Sequence, residues 1–229
     1  MAGQKQLYDK GLAMVMLGSH YTFSPYLFDH AAIEFPMRAC SWLTTVGRTS
    51  IDISRVLETA DSQRKVLLSG VARYVCMDYV GGIAVPFPDS PQSLLSSASP
   101  VTASRFPYTT PPESAAPGSF LTTVRVRYDD MDTNWHSNHA SYIAYVMECG
   151  AQAAAAGYYP RIRDDIAFYR ALSLTCMHLG ESYAEDELIV STWEDANNAL
   201  LLHFLVNRQQ RRICYVKIEF AENTITSKL

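Results

Sequence analysis

Val124-Arg125-Val126-Arg127-Tyr128-Asp129-Asp130-Met131-Asp132-Thr133-Asn134-Trp135-His136-Ser137-Asn138-His139-Ala140-Ser141-Tyr142 changes character twice. Val124, Val126 and Tyr128 alternate with Arg125 and Arg127, the period-2 pattern of a half-buried strand. Asp, Thr and Asn residues follow, whose side chains bond their own backbone and favour tight turns. From about Ala140 the chain reads as an apolar helix. Carboxylates, carboxamides and imidazoles are concentrated in the turn between strand and helix, and chemistry is expected there.

The same residues carry a family resemblance. Asp132-x-Asn134-x-His136-x-Asn138-His139-x-x-Tyr142, preceded by Val126-Arg127-Tyr128, resembles the motif of the hotdog-fold thioesterases. The branch it is most similar to is the fatty acyl-ACP and 4-hydroxybenzoyl-CoA thioesterase-like group. The resemblance implies an α+β fold in which an antiparallel sheet wraps a long central helix. It also implies that Asp132, Asn134 and His136 line a thioester site. In the acyl-ACP branch a glutamate on the strand after the helix joins them, and Glu181, in His178-Leu179-Gly180-Glu181-Ser182, is the residue at about that place.

Outward from the motif, Ala140 to Gly157 predicts a helix so apolar that it would be buried on nearly every side. Strands are expected over Ala171–Leu179, Glu187–Trp193, Ala199–Asn207 and Arg212–Phe220, with Asn197-Asn198 and Gln209-Gln210-Arg211 as hairpin-like connections. In the first half, Gln4–Gly18 reads as a helix, because Leu7, Leu12, Ala13, Val15, Met16 and Leu17 build an apolar face and Gly18 offers a stop. Tyr21–Asp29 reads as irregular. Met37–Val46, Thr49–Leu57 and Lys65–Tyr79 read as strands.

Both halves thus show a helix followed by strands. The expected organisation is an incomplete N-terminal hotdog unit over 1–87, a Pro/Ser-rich linker over 88–119 and a C-terminal hotdog unit with the motif over 120–226. Eight of the eleven prolines lie between Pro86 and Pro117, and such a segment buries too little apolar area to offset its ordering entropy. The first half lacks the acid-rich turn, and its helix begins too near Met1 to leave room for a first strand. One competent site is therefore expected, within an intramolecular pseudo-dimer that can assemble further.

Composition limits the partners. Hydrophobic residues make up 48% and charged residues 18% of 229, enough for a sizeable core. A net charge of −4, with no basic cluster interleaved with aromatics, argues against nucleic acid. No run of eighteen apolar residues is present, so no membrane span is expected. Five scattered cysteines without a Cys-x-x-Cys read as reduced and buried, and no metal site is expected. Asp130-x-Asp132-x-Asn134 imitates the start of a calcium loop, but Trp135 and Ser141 stand where that loop needs glycine and glutamate. Ser227-Lys228-Leu229 matches the peroxisomal address read by an import receptor at a free C-terminus, so a peroxisomal location is expected, with the cytoplasm as the alternative.

Thioester hydrolysis needs an activated water or a nucleophile and donors for the oxyanion. The leaving thiol, with a pKa near that of cysteine at about 8.5, needs little help from an acid. Asp132 is the expected general base or nucleophile, His136 the residue that polarises or shuttles a proton, and Asn134 the one that orients water or carbonyl. N–H groups at the start of the helix are the expected oxyanion donors. Asn138 and His139 read as structural, Tyr142 as packed under the helix, and Asp129 and Asp130 as solvated or paired with arginine. Arg161, Arg163 and Arg170, or the Arg208–Arg212 cluster, are candidates for the phosphates of CoA, which is here part of the substrate and not a cofactor.

The leading expectation is a peroxisomal acyl-CoA thioesterase acting on a fatty or aryl acyl group. An enoyl-CoA hydratase on the same fold is disfavoured, since Asn134-Trp135-His136 lacks the proline and the spacing of an Asp-x-Asn-Pro-x-His signature. A non-catalytic acyl-CoA-binding protein is the third reading.

Overall fold

A computed structural model describes residues 7, 9–28, 36–78, 80–88 and 105–224. The chain divides into two compact units, Met1–Tyr108 and Thr109–Leu229.

Among the described residues the first unit holds four strands: β1 (Leu12–Phe23), β2 (Met37–Val46), β3 (Ser50–Thr59) and β4 (Val66–Asp78). They pair antiparallel in the order β2-β3-β4-β1. Turns at Gly47-Arg48 and around Asp61 join the hairpins, and the Asp61 carboxylate accepts from the N–H groups of Gln63 and Arg64. The helix expected over Gln4–Gly18 is overturned from Leu12 onward, where the chain is β1; residues 1–6 and 8 lie outside the described residues. Leu, Ala and Met differ in helix preference by only tenths of a kcal/mol per residue. The ladder that runs from Leu12 opposite Asp78 to Phe23 opposite Leu68 outweighs that preference. The expectation that the first half has no first strand falls with it. Tyr21–Phe23, read as irregular, ends β1, and Pro25–Phe28 forms a 3-10 turn.

Leu67, Val71, Ala72 and Cys76 on β4 form the buried centre of this unit. Asp52 is buried beside Arg73, directly opposite in register, and the two make a bidentate pair at 2.7 and 2.8 Å. Of the segment read as a linker, residues 89–104 lie outside the described residues. Phe106 is buried, with its N–H on Asp52 Oδ2 and its ring 5.6 Å from the Arg73 guanidinium.

In the second unit, β5 (Phe120–Arg125) leads to α1 (His139–Ala155), then to β6 (Tyr169–His178), β7 (Glu187–Glu194), β8 (Leu201–Arg208) and β9 (Arg211–Thr224). The strands pair antiparallel in the order β6-β9-β8-β7-β5. The β8–β9 hairpin turns on Gln209 and Gln210, both at positive φ (47° and 66°), as a two-residue type I′ turn requires.

Helix α1 crosses β7, with β5, β8 and β9 beside it. Tyr142, Tyr145, Val146, Cys149, Gly150, Ala153 and Ala154 are its buried residues, two per turn on one face, against Leu188, Val190, Phe204, Val206 and Val216. The expectation of burial on nearly every side is corrected: Ala144, Glu148, Gln152 and Ala155 are exposed. At the N-terminus the Asn138 carboxamide accepts from the Ala140 N–H at 3.0 Å. At the C-terminus Gly157 takes φ +70°, and the N–H groups of Tyr158 and Gly157 bond the carbonyls of Ala153 and Ala154. This is the paired closure that a left-handed glycine permits.

Candidate active site

The segment between β5 and α1 is held at both ends by hydrogen bonds to residues 182–186, the loop after β6. Val126, fully buried, exchanges backbone bonds with Asp186 and Glu185. The strand pattern read through Tyr128 stops at Arg125, and Tyr128–Asp130 forms a 3-10 turn that leaves the Tyr128 ring exposed. The Asp130 carboxylate accepts from the Arg127 N–H at 2.8 Å, and Asp129 pairs with the Arg127 guanidinium. These two aspartates are thus occupied locally.

Residues 132–136 form a closed loop. Met131 bridges Ser137, and the Asp132 N–H bonds the His136 carbonyl at 2.9 Å. Inside it Asp132 Oδ1 accepts from the Asn134 N–H at 2.7 Å, the turn that Asx residues make with their own backbone. Trp135 adopts φ 65°, an uncommon left-handed conformation for a bulky residue, and this reversal returns His136 to the side of Asp132.

The Ser137 N–H donates to the Ser182 carbonyl at 2.8 Å, which docks the loop against the segment that carries Glu181. The His136 imidazole consequently stands between two carboxylates, with Nδ1 3.7 Å from Asp132 Oδ1 and Nε2 4.0 Å from Glu181 Oε1. Both separations exceed a hydrogen bond, so the groups are neighbours with room for small adjustments. The side chains of His136 and Asp132 are 22% and 24% exposed and that of Glu181 is 52% exposed, so solvent reaches the trio. The Asn134 carboxamide donates to Asp132 Oδ2 at 3.4 Å. The structure therefore brings Asp132, Asn134, His136 and Glu181 together.

Beneath this trio lies a network that sequence reading did not find. Ser182 Oγ sits 2.8 Å from Ser137 Oγ and 2.9 Å from Tyr142 Oη, all buried. Burial pushes the Tyr142 phenol up to about 12, against the opposing pull of its Ser182 hydrogen bond. Tyr183 Oη donates to Glu181 Oε2 at 2.9 Å, and the Arg208 guanidinium lies 4.8 Å over the Tyr183 ring and 2.7 Å from Asp186. For Ser182 and Tyr183 the only trace in the sequence was proximity to Glu181, because hydroxyls take no recognisable spacing.

His139, one residue past the cap, is held neutral: burial first, then the nearby His178 and His136, push its imidazole down to about 4, while Asp132 pulls the other way. Two N–H groups at the helix start are already used, Ala140 on the Asn138 carboxamide and Ser141 on the Asn138 carbonyl. The reading of helix-start N–H groups as oxyanion donors is corrected for these two.

The arginines proposed for phosphate contacts lie elsewhere in the unit. Arg161 and Arg163 follow the C-terminal end of α1, and Arg170 is the second residue of β6, eight residues before His178. At about 3.3 Å per strand residue, that places Arg170 roughly 26 Å from the end of β6 that leads to Glu181. Arg161 approaches Glu222 at 3.8 Å. Arg212 is taken up by the carbonyls of Pro111 and Pro112 and by Glu113. Arg208 stands beside the Glu181 segment, its guanidinium 3.5 Å from the Glu181 carbonyl.

Comparison with known proteins gives these features a context. Residues 114–222 match the family model of the acyl-ACP thioesterase C-terminal domain. No curated protein matches the sequence. Among solved structures, an acyl-ACP thioesterase from Bacteroides thetaiotaomicron superposes with a TM-score of 0.66 at 16% identity, over 95% of this chain and 80% of that one. A 12:0-ACP thioesterase from Umbellularia californica superposes with a TM-score of 0.72 at 13% identity, over 94% of this chain and 78% of that one. At these identities the likeness is one of fold.

Proposed function

We propose that this chain, a thioester hydrolase that carries an acyl-ACP thioesterase C-terminal-type domain over residues 114–222, cleaves fatty or aryl acyl-CoA to the free acid and CoA. The observation that carries this reading is the approach of Asp132 and Glu181 to opposite nitrogens of His136 on a solvent-accessible loop. In the proposed reaction Asp132 either takes a proton from an attacking water or attacks the thioester carbon itself. Asn134 orients the water or the carbonyl from beside the Asp132 carboxylate. His136 relays the proton toward Glu181 or the departing sulfur. The tetrahedral intermediate collapses with cleavage of the carbon–sulfur bond, and the thiol leaves readily because its pKa is only about 8.5. Where Asp132 is the nucleophile, water then hydrolyses the mixed anhydride to release the acid and restore the carboxylate.

CoA as carrier, and the peroxisome as location, rest on Ser227-Lys228-Leu229; these residues lie outside the described ones. A second reading, in which the same acyl group arrives on an acyl carrier protein, is favoured by the family match itself. Both carriers present a thioester of the same pantetheine thiol, so the chemistry at Asp132 is common to them.

The test is thiol release from short, medium, long and aromatic acyl-CoAs and from the matching acyl carrier protein thioesters, with wild type beside Asp132→Asn. Loss of positioned acid–base or nucleophilic chemistry should lower turnover on the order of 10²- to 10⁴-fold with the thermal transition unchanged. Release that survives the substitution would remove Asp132 from the mechanism. Preference for the carrier-protein thioesters would replace CoA by the second reading.

A further inference from the structure

The side chains of Cys176, His178 and Cys214 converge beside the start of α1. Cys176 and His178 are two apart on β6 and so point to one face of the sheet. Cys214 on β9 is the register partner of His178 and therefore shares that face. Cys176 Sγ lies 3.6 Å from Cys214 Sγ and 3.5 Å from His178 Nε2, and the three ligand atoms all fall within 4.8 Å of one another. Both cysteines are buried, and His178 Nδ1 is a buried atom without a hydrogen-bond partner.

We infer that Cys176, His178 and Cys214 form a binding site for one divalent, thiophilic cation of the zinc class. Tetrahedral zinc holds sulfur at about 2.3 Å and imidazole nitrogen at about 2.0–2.1 Å. Those bond lengths separate two sulfurs by about 3.8 Å and a sulfur from a nitrogen by about 3.6 Å. Two of the three edges already stand at these spacings, and the third closes by side-chain rotation. Charge selects the valence. Two thiolates and a neutral imidazole around a divalent ion sum to zero, the state a buried site tolerates best; a monovalent ion leaves an uncompensated negative charge. Thiolate and imidazole donors also favour zinc over calcium or magnesium, which take oxygen.

Binding is a proton exchange without redox change: both thiols release their protons as the two metal–sulfur bonds form. The His139 ring lies beside that of His178, with centroids 4.1 Å apart. The bound ion would tie β6, which carries Cys176 and His178, to β9, which carries Cys214. The site does not depend on the thioesterase reading.

The experiment is a titration of the full-length, reduced and chelator-stripped protein with Co²⁺ and then Zn²⁺. The expected result is one equivalent of Co²⁺ per chain with a thiolate-to-cobalt charge-transfer band and tetrahedral d–d bands. Zn²⁺ should abolish both signals and raise the thermal midpoint. Cys176→Ser and Cys214→Ser should each lose the charge-transfer intensity, while Cys40→Ser should keep it. Absence of the charge-transfer band in wild type would overturn the site, a result that needs no variant to fold. So would a band that persists in the Cys176→Ser/Cys214→Ser double variant, or a Cys176–Cys214 disulfide in protein isolated without added oxidant.

Discussion

Ser182 hydrogen-bonds through its hydroxyl to two others, those of Ser137 and Tyr142, in a place closed to water. Removing it leaves two buried polar groups short of a partner, and each such group costs about 1–3 kcal/mol. Ser182→Ala is therefore expected to lower stability by about 1–3 kcal/mol in urea unfolding, and Ser182→Ala/Tyr142→Phe to lose less than the sum of the singles. Strict additivity would mean that the hydroxyls do not act as a unit. At this scale the sequence was informative about Asp132, Asn134 and His136, because they lie within one loop whose turn chemistry is local. Glu181 came from family resemblance alone. Ser182 and Tyr183 were illegible, and Arg208 was read only within a cluster of phosphate candidates: they meet the loop only after β6 and β8 have been laid into the sheet.

Helix and strand preferences were most deceptive at β1. Its residues are apolar on both faces, and periodicity does not separate a buried strand from a helix in such a run. Pairing with β4 decided the matter, and a glycine marks how closely the two strands pack. Gly70 faces Tyr21 in register. A β-carbon there would come within 2.2 Å of Tyr21 Cδ1 and 2.7 Å of the His20 carbonyl oxygen. The ring can rotate but the carbonyl belongs to the ladder. Gly70→Ala is expected to destabilise the first unit by about 1–3 kcal/mol, as overpacking does, although alanine elsewhere in a strand gains about 0.5–1 kcal/mol over glycine. A urea midpoint equal to or above wild type would refute the close approach. Where signals were local the reading was sound: the β2 range agrees residue for residue, and Asn138 with Gly157 bounds α1.

The response of the whole molecule to acid should be set in part by His203. Its imidazole lies stacked on Trp193, with Nδ1 2.7 Å from Tyr215 Oη and Nε2 3.1 Å from Asp195 Oδ2. Burial lowers its pKa, with the Asp195 hydrogen bond opposing. Asp195 in turn is held low, first by the Asn197 N–H and next by His203. A folded pKa below the unfolded value of about 6.5 means that the unfolded chain binds more protons as pH falls through the window below 6.5. The contribution of His203 to stability is thus complete above about pH 6.5 and declines on acidification. That of Asp195 persists until pH falls below its unfolded value of about 3.9. The thermal midpoint is expected to fall from pH 6.5 toward pH 5, and His203→Gln to flatten that segment. An unchanged slope in the variant would assign the acid sensitivity to other groups.

By itself, the sequence determined that the second half is a strand, a polar loop, a capped apolar helix and four more strands, and that the loop bears the Asp132 carboxylate and the His136 imidazole. These depend on contacts a few residues apart, which spacing and side-chain type record directly. Only tertiary structure decided that residues 12–23 are a strand, that Glu181 comes to His136, that hydroxyls from Ser137, Tyr142 and Ser182 meet beneath them, and that Cys214 stands opposite His178. Each of these joins residues distant along the chain through strand register, and register is set by the cooperative fit of a whole sheet face rather than by any single residue.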